Sequence, residues 1–567
     1  MMSLSLTERI FSLPGHSIMK YFKAYKADGL KIPTYFIEST APDNVDDTAQ
    51  EADSKTDKDL PTQLKLIASS DKAVEQIAHD LVKGADPNLV VMVHGFNNPE
   101  QAVVKTYTAA AIAVNKDGKI SERDGLVCVG YRWPSESMKA PAGSSWSALP
   151  TLPRRIVYAG AAFILISLLL FHRAWDHWAH FFILVGLILA GLILMAVLLR
   201  VIVYFRDNYR ASNYGVPDLI QIIRAIDGAV VEQRRQKGLE PEPQPDNRIQ
   251  LSFIGHSMGG FVVTNTIRTL TDVFKMPVKA LSHYGADAPP PPSREKQKEM
   301  QEIGKVFELK RFVLASPDIP AEHLLSDRGN FLASALSRFE EAYLFSNEGD
   351  EVLRQISTLA NYFVFPTKSR DHGFRLGNVE ILSSNFGRIK PKAEDFLSTL
   401  RIGNLTLQQL YDRLEEDEAR RRGVARTART EPRLPKVFTY FDCTDYFDKD
   451  DKDNQRALLS FAKWQKRYDP KARLPFHSHL RLLLAYLSGK PNVHGGYFEG
   501  QLSQQLIYRL ACLGYDGTVA AYDGEASPLD KACEEKQIRM LLAPHLAERR
   551  HDRAIPRSGR PIEVSPS

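Results

Sequence analysis

The stretch with the most chemistry in it is Gly255-His256-Ser257-Met258-Gly259-Gly260. An apolar run, residues 249–254, precedes it and reads as a buried strand, and residues 261–270 follow with apolar side chains at helical spacing. A serine at such a strand-to-helix turn sits on a sharp, strained bend, where Gly255 and Gly259 leave room that a Cβ would fill. The helix that starts there aims its first backbone N–H groups at any oxyanion formed beside the hydroxyl. This is the setting of a nucleophile that attacks a carbonyl carbon and carries the acyl group.

A serine hydroxyl needs a base, and the base needs an orienting acid. On a turn of this kind the acid and then the histidine follow the serine in the chain. Asp350 lies behind residues 342–345, which read as a strand, and a small flexible turn, Asn347-Glu348-Gly349; it is the expected acid. Asp318, one strand earlier behind residues 311–315, is the alternative acid, its structural reading being a turn or helix-capping aspartate. Of the histidines that follow the strand expected at residues 437–441 (His477, His479, His494, His545 and His551), His494 is the expected base. It stands in a glycine-bearing loop, Asn492-Val493-His494-Gly495-Gly496, just ahead of a helical stretch at residues 501–513. His477 and His479 open an apolar helical segment, 480–487, and read as structural. The two oxyanion donors are expected to be the backbone N–H groups of Met258 and Phe96, with His94 architectural beneath its loop.

These side chains need a scaffold, and the patterns supply one. Strands are expected at residues 30–37, 89–93, 126–131, 249–254, 311–315, 342–345 and, as the last, 437–441. Helical patterns fall between them, at residues 64–82, 100–115 and 218–233. Strands alternating with helices imply a parallel sheet covered on both faces. Residues 41–59 are rich in Asp, Glu, Ser and Thr and read as a disordered loop. Residues 405–433 begin as a charged helix and become arginine-rich, while 549–567 has the composition of a frayed tail.

The chain has 567 residues, and 73 Lys and Arg against 68 Asp and Glu leave a net charge of only +5, which gives no nucleic-acid signature. The four cysteines, Cys128, Cys443, Cys512 and Cys533, lack the spacing of a zinc site or redox pair and suit a reducing compartment. No metal and no organic cofactor is expected. Residues 1–22 are interrupted by Glu8, Arg9, Pro14 and His16, unlike a signal peptide.

Two apolar runs, residues 156–171 and 181–199, approach the length that a bilayer core requires. The short polar link between them carries Trp175 and Trp178, residues suited to an interface. Arg154, Arg155, Arg200, Arg206 and Arg210 flank the outer ends, whereas the link holds Arg173 opposed by Asp176. The pair therefore reads as a transmembrane helical hairpin with both flanks, and both termini, on the cytoplasmic side.

Four blocks in order carry a resemblance: His94-Gly95-Phe96-Asn97-Asn98 after a valine-rich strand, Arg132-Trp133-Pro134-Ser135, Gly255-His256-Ser257-Met258-Gly259, and Leu314-Ala315-Ser316-Pro317-Asp318-Ile319. Together they resemble a bacterial α/β-hydrolase family of unknown function. Arg132 replaces that family's usual small residue before the tryptophan, and Gly260 stands where asparagine is common. The resemblance implies an α/β-hydrolase fold, a mostly parallel sheet with helices on both faces, here interrupted by the hairpin. The expected organisation is a first hydrolase part over 1–153, the hairpin over 154–206, a second hydrolase part over 207–525 with helical insertions at 395–433 and 453–490, and a C-terminal tail over 526–567. It also implies serine-hydrolase chemistry. The expectation is a membrane-anchored hydrolase of carboxylic esters, of lipid or acyl-lipid type, whose partners are the bilayer and that substrate. The alternatives are a thioesterase or acyl hydrolase for a soluble substrate, and a non-catalytic hydrolase-fold membrane scaffold.

Overall fold

The computed structural model describes residues 22–41, 64–135, 202–271, 302–325, 335–358, 373–391, 395–423, 432, 434–448, 459, 474, 477–479, 481–482, 492–523 and 528–547. The two apolar runs of the expected hairpin, the acidic loop expected at 41–59 (Ala41 apart), most of the insertion at 453–490 and the terminal stretch 549–567 lie outside these residues. Among the described residues no helix is long and apolar enough to cross a membrane.

The fold is of the α/β class, with a mostly parallel, mixed sheet and helices. It divides into two compact units, Met1–Phe253 with Asn265–Leu270 and Glu302–Leu309, and Ile254–Thr264 with Thr271–Gln301 and Lys310–Ser567.

In the first unit, β1 (Phe22–Ala27), β2 (Thr34–Ser39) and β3 (Leu64–Leu66) precede helix α1 (Ser70–Lys83). Then come β4 (Asn88–Val93), α2 (Glu100–Lys116), β5 (Leu126–Arg132) and α3 (Val216–Gln236). Strand β6 (Ile249–His256) begins in this unit. It is followed by α4 (Met258–Leu270), β7 (Glu302–Ile303) and β8 (Phe307–Ala315). β5 lies between β4 and β2, parallel to both, and β1 lies between β2 and β3, antiparallel to both, so that β3 forms the edge. Every residue of β4 and β5 is buried, as the continuous apolar runs of a strand covered on both faces require. Helix α1 buries Ala73, Val74, Ile77, Ala78 and Leu81, a stripe at helical spacing, and packs on α3.

The structure differs from the sequence pattern at two places in this unit. The strand expected at 30–37 is β2, which starts only at Thr34, and it is not the first: β1 precedes it as the other arm of a hairpin, the chain turning between them at Gly29, whose φ is 73°. The helix expected from residue 64 starts at Ser70. Residues 64–66 pair with β1, and Ser69 caps the helix by accepting from the Lys72 amide.

In the second unit the parallel strands are the C-terminal part of β8, β9 (Glu341–Ser346) and, after the small antiparallel sheet of β10 (Glu380–Ile381), β12 (Leu400–Ile402) and β13 (Leu405–Thr406), strand β14 (Phe438–Asp442). Between β10 and β12 lies β11 (Gly387–Ile389). Helix α5 (Leu407–Arg422) follows β13 with a capping box at Thr406 and Gln409, and ends at Gly423 in the left-handed conformation. Its arginine-rich continuation from residue 424 lies outside the described residues, apart from residue 432. Helices α6 (Gln501–Asp523) and α7 (Leu529–Glu535) lead to β15 (Arg539–Leu541).

β14 was therefore not the last strand, and the stretch expected as a tail from residue 526 contributes α7 and β15. β15 pairs antiparallel with β14 and parallel with β11. A three-residue strand that opens on arginine carries almost no pattern. Its Arg539 is 2% exposed and is held by Asp445 at 2.7 Å and Asp442 at 3.5 Å, partners that lie nearly a hundred residues earlier.

Candidate active site

Ser257 follows β6 directly and α4 begins at the next residue. Its φ is 53°, a left-handed conformation that costs a non-glycine residue about 1 to 3 kcal/mol and persists only where the surroundings hold it. Two backbone bonds do so. The Ser257 amide donates to Ala315 O at 3.0 Å, and the Asp318 amide donates to Ser257 O at 3.2 Å. The glycines have a steric cause. A Cβ on Gly255 would stand 2.7 Å from the Gly260 Cα, and one on Gly260 would stand 2.8 Å from a Leu314 methyl. Glycine at 260 is thus a packing requirement of this chain. The Ser257 hydroxyl is fully buried and has no hydrogen-bond partner among the described residues.

His494 Nδ1 donates to Asp350 Oδ2 at 2.7 Å. Asp350 is fully buried, and the His494 side chain is 13% exposed. Burial pulls the imidazole's pKa down, but the charge and hydrogen bond of Asp350, with Asp318 farther off, carry it above the ordinary histidine value. The other Asp350 oxygen, Oδ1, accepts the amides of Val352 at 3.1 Å and Leu353 at 3.2 Å, so the carboxylate also caps the π-helical turn Val352–Ser357. Asp318 is engaged elsewhere. Its carboxylate lies 3.0 Å from Arg375 Nε and accepts the Ser357 hydroxyl at 3.1 Å. Of the two candidate acids, the structure brings Asp350 to the histidine.

His256 sits between the serine and the histidine loop. Its Nε2 donates to His494 O at 3.0 Å, and the two rings lie 5.0 Å apart. Desolvation, and then the neighbouring imidazole of His494, hold the His256 pKa down to about 4, so the ring is neutral near pH 7. It ties the residue before Ser257 to the backbone of His494.

Met258 is the first residue of α4, where the orphan amides of a helix start are found. Phe96, 7% exposed, belongs to the first unit, in the loop after β4, where its ring stands edge-on to Tyr204. In that loop His94 stacks on Trp133 with ring centroids 5.1 Å apart, and Trp133 Nε1 donates to His94 O at 2.9 Å. The histidine is part of the loop's frame, as its sequence position suggests. Arg132 is paired with Glu38 on the neighbouring strand. His479 is likewise tied into the structure, between Glu351 and Arg354.

Two residues escape a reading of spacing alone. Asn347, in the turn expected to be flexible, is fully buried and straps that turn to the histidine loop. Its Nδ2 donates to Val493 O at 3.2 Å, and its Oδ1 accepts the Gly349 amide at 2.9 Å. Asn378 reinforces the turn by donating to Asn347 O and Asp350 O. Ser316, at the end of β8, donates its hydroxyl to Asp350 Oδ2. An asparagine directly after β9 was the available signal for Asn347; nothing local marks Ser316. Among the described residues no group of three or more His, Cys, Asp or Glu side chains is placed to hold a metal ion.

Comparison of the chain with family models, with curated proteins and with solved structures yields no match.

Proposed function

We propose that the chain is a serine hydrolase of α/β-hydrolase fold that cleaves carboxylic esters through Ser257, His494 and Asp350. The observation that carries this reading is the union, within one unit, of a strained serine at a strand-to-helix turn with a histidine whose Nδ1 is bonded to a buried carboxylate. In the reaction His494 Nε2 takes the Ser257 proton as Oγ bonds to the ester carbonyl carbon. The tetrahedral oxyanion is met by the backbone N–H of Met258, at the start of α4. The C–O bond to the alcohol breaks, His494 returns the proton to the departing oxygen, and water then releases the acid from the acyl-enzyme by the same route. Asp350 fixes the tautomer and stabilises the imidazolium.

The lipid or acyl-lipid class of the ester, and a tether through residues 154–206 with the hydrolase on the cytoplasmic side, rest on the hydropathy and arginine asymmetry of the sequence. A fluorophosphonate probe supplies the test. The full chain in membranes should label covalently, and Ser257→Ala should not. Equal labelling of both, or of neither, would overturn the hydrolase. Release of the protein by carbonate without detergent would overturn the tether.

A further inference from the structure

Ser316 has the same unusual backbone as Ser257. Its φ is 47°, and among the described residues only four non-glycine residues have a positive φ. A glycine would take that conformation without cost, whereas a serine there retains a hydroxyl at the expense of strain. The backbone is fixed on both sides. The Ser316 amide donates to Phe345 O at 2.9 Å, and Gly377 packs so close that a Cβ on it would stand 2.9 Å from the Ser316 carbonyl carbon. So held, the fully buried hydroxyl meets Asp350 Oδ2, the same oxygen that His494 uses, and lies 3.4 Å from His494 Nδ1. The Tyr497 hydroxyl is buried on the same side and keeps its proton, since burial pushes it well above its ordinary value.

We propose that Ser316 is a positioning residue for the Asp350–His494 pair. Its hydroxyl shares Oδ2 with the imidazole, stops the carboxylate from turning about the two amides on Oδ1, and draws off part of the charge that faces His494. The consequence for the base rests on the hydrolase reading; the consequence for the pair does not. Without the hydroxyl, Oδ2 keeps more charge for the imidazolium, so His494 holds its proton to higher pH. The groups facing His494 are Asp350, Asp318, His256 and Ser316, and the substitution changes only the last.

Ser316→Gly removes the hydroxyl and relieves the backbone, so it tests the role without threatening the fold; Ser316→Ala removes the hydroxyl alone. Histidine-selective NMR of the full chain should show His494 titrating about half a pH unit or more higher in both variants. The acid limb of Ser257 labelling by fluorophosphonate should move up with it, giving a several-fold slower reaction on the acid side that recovers at high pH. His494 titrating as in the parent overturns the proposal, whatever the stability of the variants. A shifted His494 in a chain whose Ser257 never labels upholds the positioning role and overturns the hydrolase reading instead.

Discussion

Asp350 and Glu351 are neighbours in the chain, both fully buried, and each holds the Nδ1 of a histidine. The pairs differ at the other end of the ring. His479 Nε2 faces the Arg354 guanidinium at 2.9 Å, a donor that never gives up its charge, so the lone pair of that nitrogen is committed. The ring of His494 packs 5.0 Å from that of His256, whose Nε2 donates to His494 O at 3.0 Å. The surroundings of the carboxylates differ in the same sense. Glu351 is steadied by Gln355 from its own helical turn, whereas Asp350 is steadied by two amides, by Ser316 from β8 and by the strap through Asn347. A carboxylate–imidazole pair is thus insufficient to mark a base. What separates the two is that the second nitrogen of His479 is held by Arg354, and how many independent segments fix the acid.

The sharpest way to break this comparison is to remove each imidazole. His494→Ala, like Ser257→Ala, should lower ester hydrolysis by about 10⁴-fold or more in steady-state kinetics. His479→Ala should leave kcat within about threefold and lower stability by about 1 to 3 kcal/mol in denaturant titration, because it strands part of Glu351. A dead His479→Ala of unchanged stability would exchange the roles of the two pairs.

The carboxylates come next. Asp350→Asn should cost about 10³- to 10⁴-fold in kcat through the wrong imidazole tautomer, and Glu351→Gln should cost no more than a few-fold. A fully active Asp350→Asn beside an inactive Asp318→Asn would transfer the acid to the earlier strand.

A smaller effect sharpens the electrostatics. On the proposed mechanism His494 acts as a neutral base, and its pKa lies above the ordinary histidine value, so kcat/KM should fall as pH drops through a limb above that value. Asp318→Asn removes the weaker of the two anions that raise it and should lower the limb by a few tenths of a unit. An unmoved limb would mean that Arg375 already cancels Asp318 at the imidazole.

The alternating strands and the glycine-flanked serine were legible because each is written within a dozen residues. Burial runs such as those of β4 and β5 announce themselves in the same way. Asp350 was readable as the expected acid but not as the sole candidate, since Asp318 also follows a strand. What decides between them is Arg375, 57 residues beyond Asp318, drawing that carboxylate aside. Ser316 was in view only as a member of a sequence block; its use depends on Asp350 arriving from the next strand. β15 failed for the same reason, an arginine in a short segment being intelligible only beside Asp442 and Asp445.

The capping of Val352 and Leu353 by Asp350 has an evolutionary consequence. One side chain is answerable both to the geometry of a helix start and to the imidazole, so mutational paths that pass through Glu are closed: the longer arm cannot keep both amides on Oδ1 while Oδ2 still reaches His494. Asn is the replacement that retains the cap and loses the anion. A lineage that gave up the chemistry while keeping the fold would therefore drift to Asn at this position before any other residue. On the hydrolase reading, Asn there in a chain that still carries the serine would mark a descendant that keeps the shape with turnover lowered as in Asp350→Asn.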